Sequence, residues 1–324
     1  MTTHSRLGTR VVRLGLCLGI AGAALLAPAA RAAEATQTPK AAPVTQRTFG
    51  TPEEAAEALI LAAERFDIAA LMEIVGPDGD DLVVTGDPVQ DRNNSIAFAA
   101  QARKRTRVVR DPAHPKTAIL YVGTGEWPAP MPIVQKRGKW RIDSMAGRRE
   151  ILYRRIGTNE LDAINVCRGY VEAQQEYALG KHDGARVNQY AQRMISTPGR
   201  QDGLAWRAAD GTWQGPVGET IAQVISEGYT ERYDPFHGYY FRILKGQGPD
   251  APFGAMDFVV EGAMIGGFAL VAAPAEYEVT GVKSFIVSHE GIVYEQDLGP
   301  TTLDQFRAMK LFNPDPTWTP VAIP

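Results

Sequence analysis

Apolar positions in the first third of the chain recur at helical spacing and then switch to alternation. One side of the helix predicted for TPEEAAEALILAAERF carries its apolar residues, Ala55, Leu59, Ala63 and Phe66. Thr51 suits the N-cap of this helix, Asp67 suits the N-cap of a second short helix, and a third is predicted near 93–104. The runs RVVR, TAILYVG, PIVQ and WRID then have the composition of strands. This order predicts helices packed on an antiparallel sheet.

The middle of the chain returns to helical spacing, and the last third alternates again. Helices are predicted to open at Thr158, to span 183–195 and to include PVGETIAQVISEGY. From Gly238 onwards the segments GYYFRIL, DFVV, GGFALVA, SFIVS and IVYEQ predict strands rich in aromatic and β-branched residues. The segment TTLDQFRAMKLF predicts a short helix, and the prolines of NPDPTWTPVAIP predict an extended tail.

The stretch SFIVSHEGIVYEQDLGP predicts two strands joined by a tight turn. His289 and Glu290 fit the central positions of that turn, and Gly291 fits its left-handed position. We therefore expect His289 and Glu290 at an exposed tip. Glu295 and Asp297 share one face of the second strand and should lie further along, away from the tip.

These patterns divide the chain into four parts and place it in the α+β class. Residues 1–32 are predicted to be a signal peptide, 33–47 a disordered linker, 48–157 an N-terminal α+β domain, and 158–324 a helical segment with a C-terminal antiparallel sheet. The N-terminal part, helices first and a curved sheet ending on WRID, resembles the NTF2-like or cystatin-like α+β cone.

The N-terminus has the features of a Sec-type export signal. Arg6, Arg10 and Arg13 give a positive start without acids, LGLCLGIAGAALLAPA is apolar, and Ala30-Arg31-Ala32 supplies the cleavage pattern. The apolar run is shorter than the roughly 20 residues of a membrane-spanning helix. The sequence therefore predicts a periplasmic or extracellular bacterial protein, with retention of the segment as an anchor as the alternative.

Export changes the charge and the cysteine content. The net charge of −3 becomes −7, because the removed segment holds four arginines and no acid. An acidic exported chain argues against a nucleic-acid partner. Cys167 is then the last cysteine, so no intrachain disulfide forms, and its apolar surroundings on the predicted helix favour a small buried residue over a nucleophile.

Catalytic and metal-binding signatures are missing from the sequence. It has no G-x-S-x-G, S-x-x-K, H-E-x-x-H or P-loop pattern. The histidines that remain after export lack ligand spacing, namely His114, His182, His237 and His289. The acidic loop PDGDDLVVTGDPVQD departs from the EF-hand pattern at Leu82 and is interpreted as a solvated turn. We therefore predict no metal site and no cofactor.

Two basic runs stand out in this acidic chain. They comprise Arg103, Lys104, Arg105, Arg107 and Arg110, and then Arg148, Arg149, Arg154 and Arg155. Such runs most often lie on the solvent-exposed face of a strand or helix, where their side chains pair with neighbouring acids. The alternative is a surface that faces an anionic envelope polymer or lipid head groups.

Six separated blocks resemble one bacterial family. The blocks TFGTPEEAAEAL, KRGKWRIDSMAGRREILYRRIGTNEL, YAQRMISTPGRQDGLAW, HGYYFRILKGQGP, MIGGFALVAAPAEY and SHEGIVYEQDLGP occur in this order and resemble the exported DUF2950 family over about 47–320. The resemblance implies export and a compact mature protein, and it implies no reaction. The segment FALVAAPAEYEVTGVKSFIVSHEGIVYE is also similar to the strand pattern of pilin-like heads, although the long prepilin helix is missing.

The sequence is compatible with three functions. The first is non-catalytic binding of, or assembly with, an envelope protein or polymer; the second is a small-ligand carrier that uses the cone. The third is an envelope hydrolase that uses carboxylates and histidine, with candidate groups His237, Tyr239, His289, Glu290, Glu295 and Asp297. Catalytic residues are not assigned. The candidate ligand- or partner-binding residues are His237, Tyr239, Tyr240, His289, Glu290, Trp127 and Trp140.

Overall fold

Three helices open the fold and each begins at a side-chain cap. The computed structural model describes residues 45–217 and 235–322. The helices are α1 (Pro52–Arg65), α2 (Ile68–Val75) and α3 (Pro88–Lys104), with a 3-10 turn at Asp80–Leu82. As predicted, Thr51 Oγ1 accepts from the Glu54 N–H at 3.1 Å and Asp67 Oδ1 from the Ala70 N–H at 3.0 Å. The third helix starts five residues earlier than predicted, because Asp87 caps it.

The predicted N-terminal sheet is present and entirely antiparallel. Its strands run in the order β1-β2-β4-β5, with β3 also pairing with β2. They are β1 (Thr106–Arg110), β2 (Thr117–Val122), β3 (Trp127–Pro128), β4 (Ile133–Lys136) and β5 (Lys139–Ile142). Alternate residues of β2 are buried against the helices, namely Ala118, Leu120 and Val122. The first hydrophobic core lies between the helices and this sheet.

A single long helix, α4 (Ser144–Tyr177), follows the sheet directly. The predicted start at Thr158 is wrong, because Asp143 caps the helix by accepting from the Ala146 N–H at 3.0 Å. The helix was not predicted over residues 144–157, because this part buries few side chains and therefore has no apolar stripe. The helix crosses the predicted domain division at 157, and the position of that division stays a prediction.

The segment after α4 is irregular up to a small ribbon. The helix predicted for 183–195 is wrong: this stretch forms turns and bends, and β6 (Trp206–Arg207) pairs with β7 (Trp213–Gln214) beyond it. Its backbone is satisfied by other partners, since the buried Gln174 side chain accepts from the Ala191 N–H and donates to the Ala191 carbonyl, both at 2.8 Å. The helix predicted in PVGETIAQVISEGY lies outside the described residues from 218 onwards.

The C-terminal strands form a five-stranded antiparallel sheet and two short ribbons. The ribbons pair β9 (Gly246–Gln247) with β10 (Met256–Asp257) and β11 (Val259–Val260) with β12 (Ala263–Met264). The sheet order is β16-β15-β14-β13-β8. Its strands are β8 (Tyr239–Leu244), β13 (Ala269–Pro274), β14 (Lys283–Ser288), β15 (Val293–Asp297) and β16 (Thr319–Pro320). Helix α5 (Thr302–Ala308) follows a 3-10 turn and matches the predicted short helix.

The second core joins the later half of α4 to this sheet. Cys167 and Tyr170 of α4 are buried with Leu270 and Phe285 of the sheet, and the Tyr170 and Phe268 rings meet edge to face at 5.5 Å. The α+β class is thereby confirmed, with helices and antiparallel sheets in both halves. Within the described ranges, no helix is long and apolar enough to cross a membrane.

Candidate functional site

The two tyrosines proposed as binding residues lie on opposite faces of β8. Tyr239 is buried, its hydroxyl donates to the Lys283 carbonyl at 2.8 Å, and its ring lies 5.9 Å from that of Phe285. Burial raises the pKa of Tyr239, and the nearby negative charge of Glu160 raises it further. Tyr239 is therefore a core residue that joins two strands, whereas Tyr240 is half-buried on the other face.

His237 has a partner that the sequence did not indicate. Its Nδ1 lies 2.5 Å from Asp162 Oδ2, which belongs to α4 and is 75 residues away in the chain. The backbone of His237 has a positive φ of 48°, a conformation that costs energy for a residue with a Cβ. The contact orients the ring, since a carboxylate on Nδ1 leaves Nε2 as the nitrogen that faces other groups.

His289 is half-buried, so its prediction at an exposed tip is wrong. The hairpin itself and the left-handed Gly291 are confirmed, and Glu290 is exposed. The His289 ring lies 5.7 Å from Phe258 and 6.1 Å from Phe268, edge to face with both. This is possible because Gly267 has no side chain: a Cβ there would lie 2.7 Å from His289 Nδ1.

The carboxylates of β15 have their own partners. Glu295 Oε1 lies 3.9 Å from Lys283 Nζ, and Asp297 Oδ2 accepts from the Tyr277 hydroxyl at 3.3 Å. The groups considered for a hydrolase therefore divide into separate contacts. His237 is held by Asp162 and His289 by aromatic rings, and the structure does not assemble these groups into one pocket.

The two tryptophans lie in different environments. Trp140 is 2% exposed in the first core, and its backbone exchanges two hydrogen bonds with Phe49. Trp127 is 49% exposed, with the Arg154 guanidinium carbon 5.1 Å from its ring centroid. They do not line one common surface.

The basic runs are largely paired with acids. Arg103 contacts Glu57 and Glu64, Arg105 and Arg107 contact Glu126, and Arg148 contacts Asp81. The hydrogen bond from Arg148 lowers the pKa of Asp81. Exposed pairs of this kind add little to the stability of the fold, because solvent screens them. These paired arginines therefore lie on a solvated face of the N-terminal half.

A polar cleft in the C-terminal half was not predicted. It has a volume of about 450 Å³, within the range of ligand pockets. We call it the 193–245 cleft, and it is lined by Tyr177, Gln189, Tyr190, Gln192, Arg193, Arg200, Asp202, Lys245 and Gly262. The end of α4, the irregular segment after it, the residue following β8 and the β11–β12 turn each contribute to the lining.

One side of the cleft is a chain of hydrogen bonds between three elements. Lys245 Nζ donates to Gln192 Oε1 at 2.9 Å, and Gln192 Nε2 donates to the Gly262 carbonyl at 2.7 Å. Gly262 has a positive φ of 83° in its turn, which exposes that carbonyl to the amide. The ammonium group of Lys245 has a neutral partner, and no carboxylate among the described residues pairs with it.

The lining also contains two arginines and one carboxylate. Arg193 Nε lies 3.5 Å from Asp202 Oδ2, and Arg200 Nε lies 3.6 Å from Asp183 Oδ2. Burial alone would raise the pKa of Asp202, but hydrogen bonds from the Thr197 N–H and hydroxyl, with the charge of Arg193, lower it below its usual value. Asp202 is therefore ionised at neutral pH and holds the loop.

Tyr177 contributes an aromatic ring to the cleft lining. The His182 ring stacks on Tyr177 at 3.9 Å, and the Tyr177 hydroxyl donates to the Gln201 carbonyl. Burial, together with the charges of Asp183 and Asp202, raises the pKa of Tyr177 to about 12, so this hydroxyl stays protonated.

The sequence carried little signal for this cleft. Its residues come from five places between Tyr177 and Gly262, and the helix wrongly predicted for 183–195 concealed the irregular loop. The block YAQRMISTPGRQDGLAW, quoted for the family resemblance, contains five of the nine lining residues.

Metal ligation and thiol chemistry receive no support from the described residues. Among them no group of three or more His, Cys, Asp or Glu side chains is placed to hold a metal ion. Cys167 is fully buried, and burial raises the pKa of its thiol to about 12, which keeps it protonated and unreactive.

Comparison with protein families agrees with the resemblance found in the sequence. The model of DUF2950, described as a protein of unknown function, matches residues 46–321. Comparisons with curated proteins and with solved structures gave no significant match. Because the matched region covers most of its length, the chain belongs to the DUF2950 family.

Proposed function

We propose that this chain is an exported bacterial envelope protein that binds a polar ligand without transforming it. The N-terminal signal supports export, and the lack of known catalytic motifs supports binding. The 193–245 cleft supports a specific place for the ligand. This retains non-catalytic binding, with a small polar ligand in place of the envelope protein or polymer expected first, and it moves the site away from the aromatic and histidine residues first considered.

The observation that carries this proposal is the set of unpaired polar groups in the cleft. Gln189 and Tyr190 are half-buried, and their side-chain polar atoms form no hydrogen bond with any residue of the described ranges. Tyr190 is held in place, since its ring lies 4.7 Å from that of Phe268 and its N–H donates to the Met264 carbonyl. Fixed polar groups that face a cavity are available to a ligand.

The carrier and hydrolase functions gain less from the geometry. The candidate binding residues of the predicted cone domain do not share a cavity, since Trp140 is buried in the first core and Trp127 is exposed. The hydrolase candidates are dispersed among separate contacts. The NTF2-like cone at 48–157 and the pilin-like pattern of the C-terminal sheet are retained as proposals about fold. Superposition of an experimental structure on both folds tests them.

Native mass spectrometry of protein purified from the periplasmic fraction tests the binding function. We expect a bound small molecule on the native chain and its loss in Gln189→Phe, because the larger ring fills the cleft. Gln90→Phe makes the same change on the exposed start of α3 and should retain the ligand. A chain that carries no ligand, or a Gln189→Phe variant that keeps it, would contradict the proposal.

A further inference from the structure

We infer that the ligand of the 193–245 cleft is a saccharide that carries an anionic group, an inference that rests on the proposed function. The cleft is lined by three cationic side chains, Arg193, Arg200 and Lys245, and by the single carboxylate of Asp202. This excess of positive charge occurs in a chain whose net charge is −3. A concave site with one sign of charge concentrates ligands of the opposite sign.

The cations are available because their protein partners are weak. The distances from Arg193 to Asp202 and from Arg200 to Asp183 are 3.5 and 3.6 Å, longer than the 2.7–2.9 Å that is typical of charge-assisted hydrogen bonds. Both arginines are exposed over about three fifths of their side chains. Lys245 has only the neutral amide oxygen of Gln192 among its described partners. An anionic ligand therefore gains contacts without first breaking a strong ion pair.

The neutral groups point to hydroxyls on the same ligand. The Gln189 amide offers a donor and an acceptor, and the Tyr190 hydroxyl offers both in one atom. A sugar ring presents hydroxyls that pair in either direction, so it satisfies both side chains at once. A bare phosphate or sulfate ion would contact the cations and leave these groups unpaired. The volume of about 450 Å³ also exceeds the size of such an ion and suits a disaccharide.

Lys245 is the residue that we expect to recognise the charge. It follows β8 directly, so a strand of the sheet fixes its backbone, while its side chain is exposed to the cleft. Its contact with Gln192 holds the ammonium group beside the Gly262 turn. The negative group of the ligand would lie here, with the sugar ring extending towards Gln189 and Tyr190.

Calorimetric titration of the purified protein with matched ligands tests the inference. Cellobiouronic acid and cellobiose differ by a carboxylate, and glucose 6-phosphate, glucose and inorganic phosphate separate the type of anion from the sugar. We expect at least one charged saccharide to bind about tenfold or more tightly than both its neutral counterpart and inorganic phosphate. A preference for the carboxylate or for the phosphate identifies which anion the cleft takes.

Lys245 variants separate recognition from a structural role. Lys245→Gln should weaken the charged saccharide about tenfold and leave the neutral one unchanged, whereas Lys245→Arg should retain most of the affinity. A structural defect would weaken both ligands alike. Lys104→Gln removes the same charge from α3 and should change neither affinity.

The outcomes distinguish the two proposals. If charged saccharides bind no better than neutral ones or than inorganic phosphate, or if Lys245→Gln weakens both equally, the anionic inference is wrong. A neutral ligand that is found by native mass spectrometry and lost in Gln189→Phe would support the binding function and contradict the anionic inference. Absence of any ligand in both experiments would remove the binding function as well.

Discussion

Gly267 allows the imidazole of His289 to pack against two phenylalanines. Its φ of 146° and the 2.7 Å approach of a Cβ to His289 Nδ1 both disfavour a side chain. We expect Gly267→Ala to lower the free energy of unfolding by about 1–3 kcal/mol, as measured by urea denaturation. Gly291→Ala is the matched control, since Gly291 has a φ of 78° with open space around it and carries backbone strain alone.

A double variant isolates the contact with the ring. Gly267→Ala combined with His289→Ala should cost less than the sum of the two single changes, because the second change removes two of the three clashing atoms and leaves only Phe258 Cε1. Strict additivity would show that the ring contact does not contribute. Equal losses in Gly267→Ala and Gly291→Ala would lead to the same conclusion.

The conformation and contacts of a single residue were predictable where they depend on residues nearby in the chain. The left-handed Gly291 and the caps Thr51 and Asp67 depend on neighbours within four positions, and all three were predicted correctly. The partners of His237 and His289 lie on other elements, so the sequence around each histidine did not reveal them. The predicted exposure of His289 failed for this reason.

The helix α4 offers two glycines whose surroundings differ. Gly169 faces open space, so Gly169→Ala should raise the free energy of unfolding by about 0.5–1 kcal/mol through helix propensity. At Gly147 a Cβ would lie 2.4 Å from Met131 Cγ and 3.2 Å from its Cα, so Gly147→Ala should lower the stability by about 1–3 kcal/mol. Thermal and urea unfolding measure both. The same sign for both variants would contradict the close packing of α4 against residue 131.

Elements were predicted where their residues are apolar and buried, and they were missed where this signal is absent. The strands of the C-terminal sheet are rich in aromatic and β-branched residues, β13 is buried along its whole length, and the predicted hairpin of β14 and β15 is present. The first half of α4 buries little, so its start was placed too late. In 183–195 the backbone forms turns and pairs with the buried Gln174 side chain of α4. The spacing of apolar residues alone predicted a helix here, and this helix does not form.

At the scale of the whole molecule, the pattern of apolar positions predicted the fold class, but neither this pattern nor the composition located the cleft. The net charge of −3 averages over the surface and conceals a local excess of cations around Lys245. That excess depends on tertiary structure, because Arg193 and Arg200 of the irregular segment must come together with Lys245, which follows β8. The family match adds no chemistry, so the proposed ligand depends on the geometry.

Several aspartates have a lowered pKa in the folded protein, and this predicts how the free energy of unfolding depends on pH. Hydrogen bonds and nearby positive charges lower the pKa of five carboxylates in the fold, Asp81, Asp111, Asp202, Asp210 and Asp315. A folded pKa below the unfolded one adds stability at pH values above the unfolded pKa, and this stability is lost as pH falls through the folded pKa. The ordinary value is 3.8, so the loss should begin below about pH 5 and deepen below about pH 4.

Asp202→Asn gives this dependence a local test, because Asp202 holds both polar groups of Thr197 at 2.7 and 2.8 Å. The variant should be less stable than the native chain at pH 7 by on the order of 1 kcal/mol. The difference should shrink as pH falls towards 3, since protonation removes the same charge from the native chain. Asp304→Asn, at an exposed carboxylate of α5, should change stability little at either pH. Urea denaturation at pH 7, 5, 4 and 3 measures both variants, and a difference that stays constant across this range would show that the Asp202 charge does not stabilise the loop.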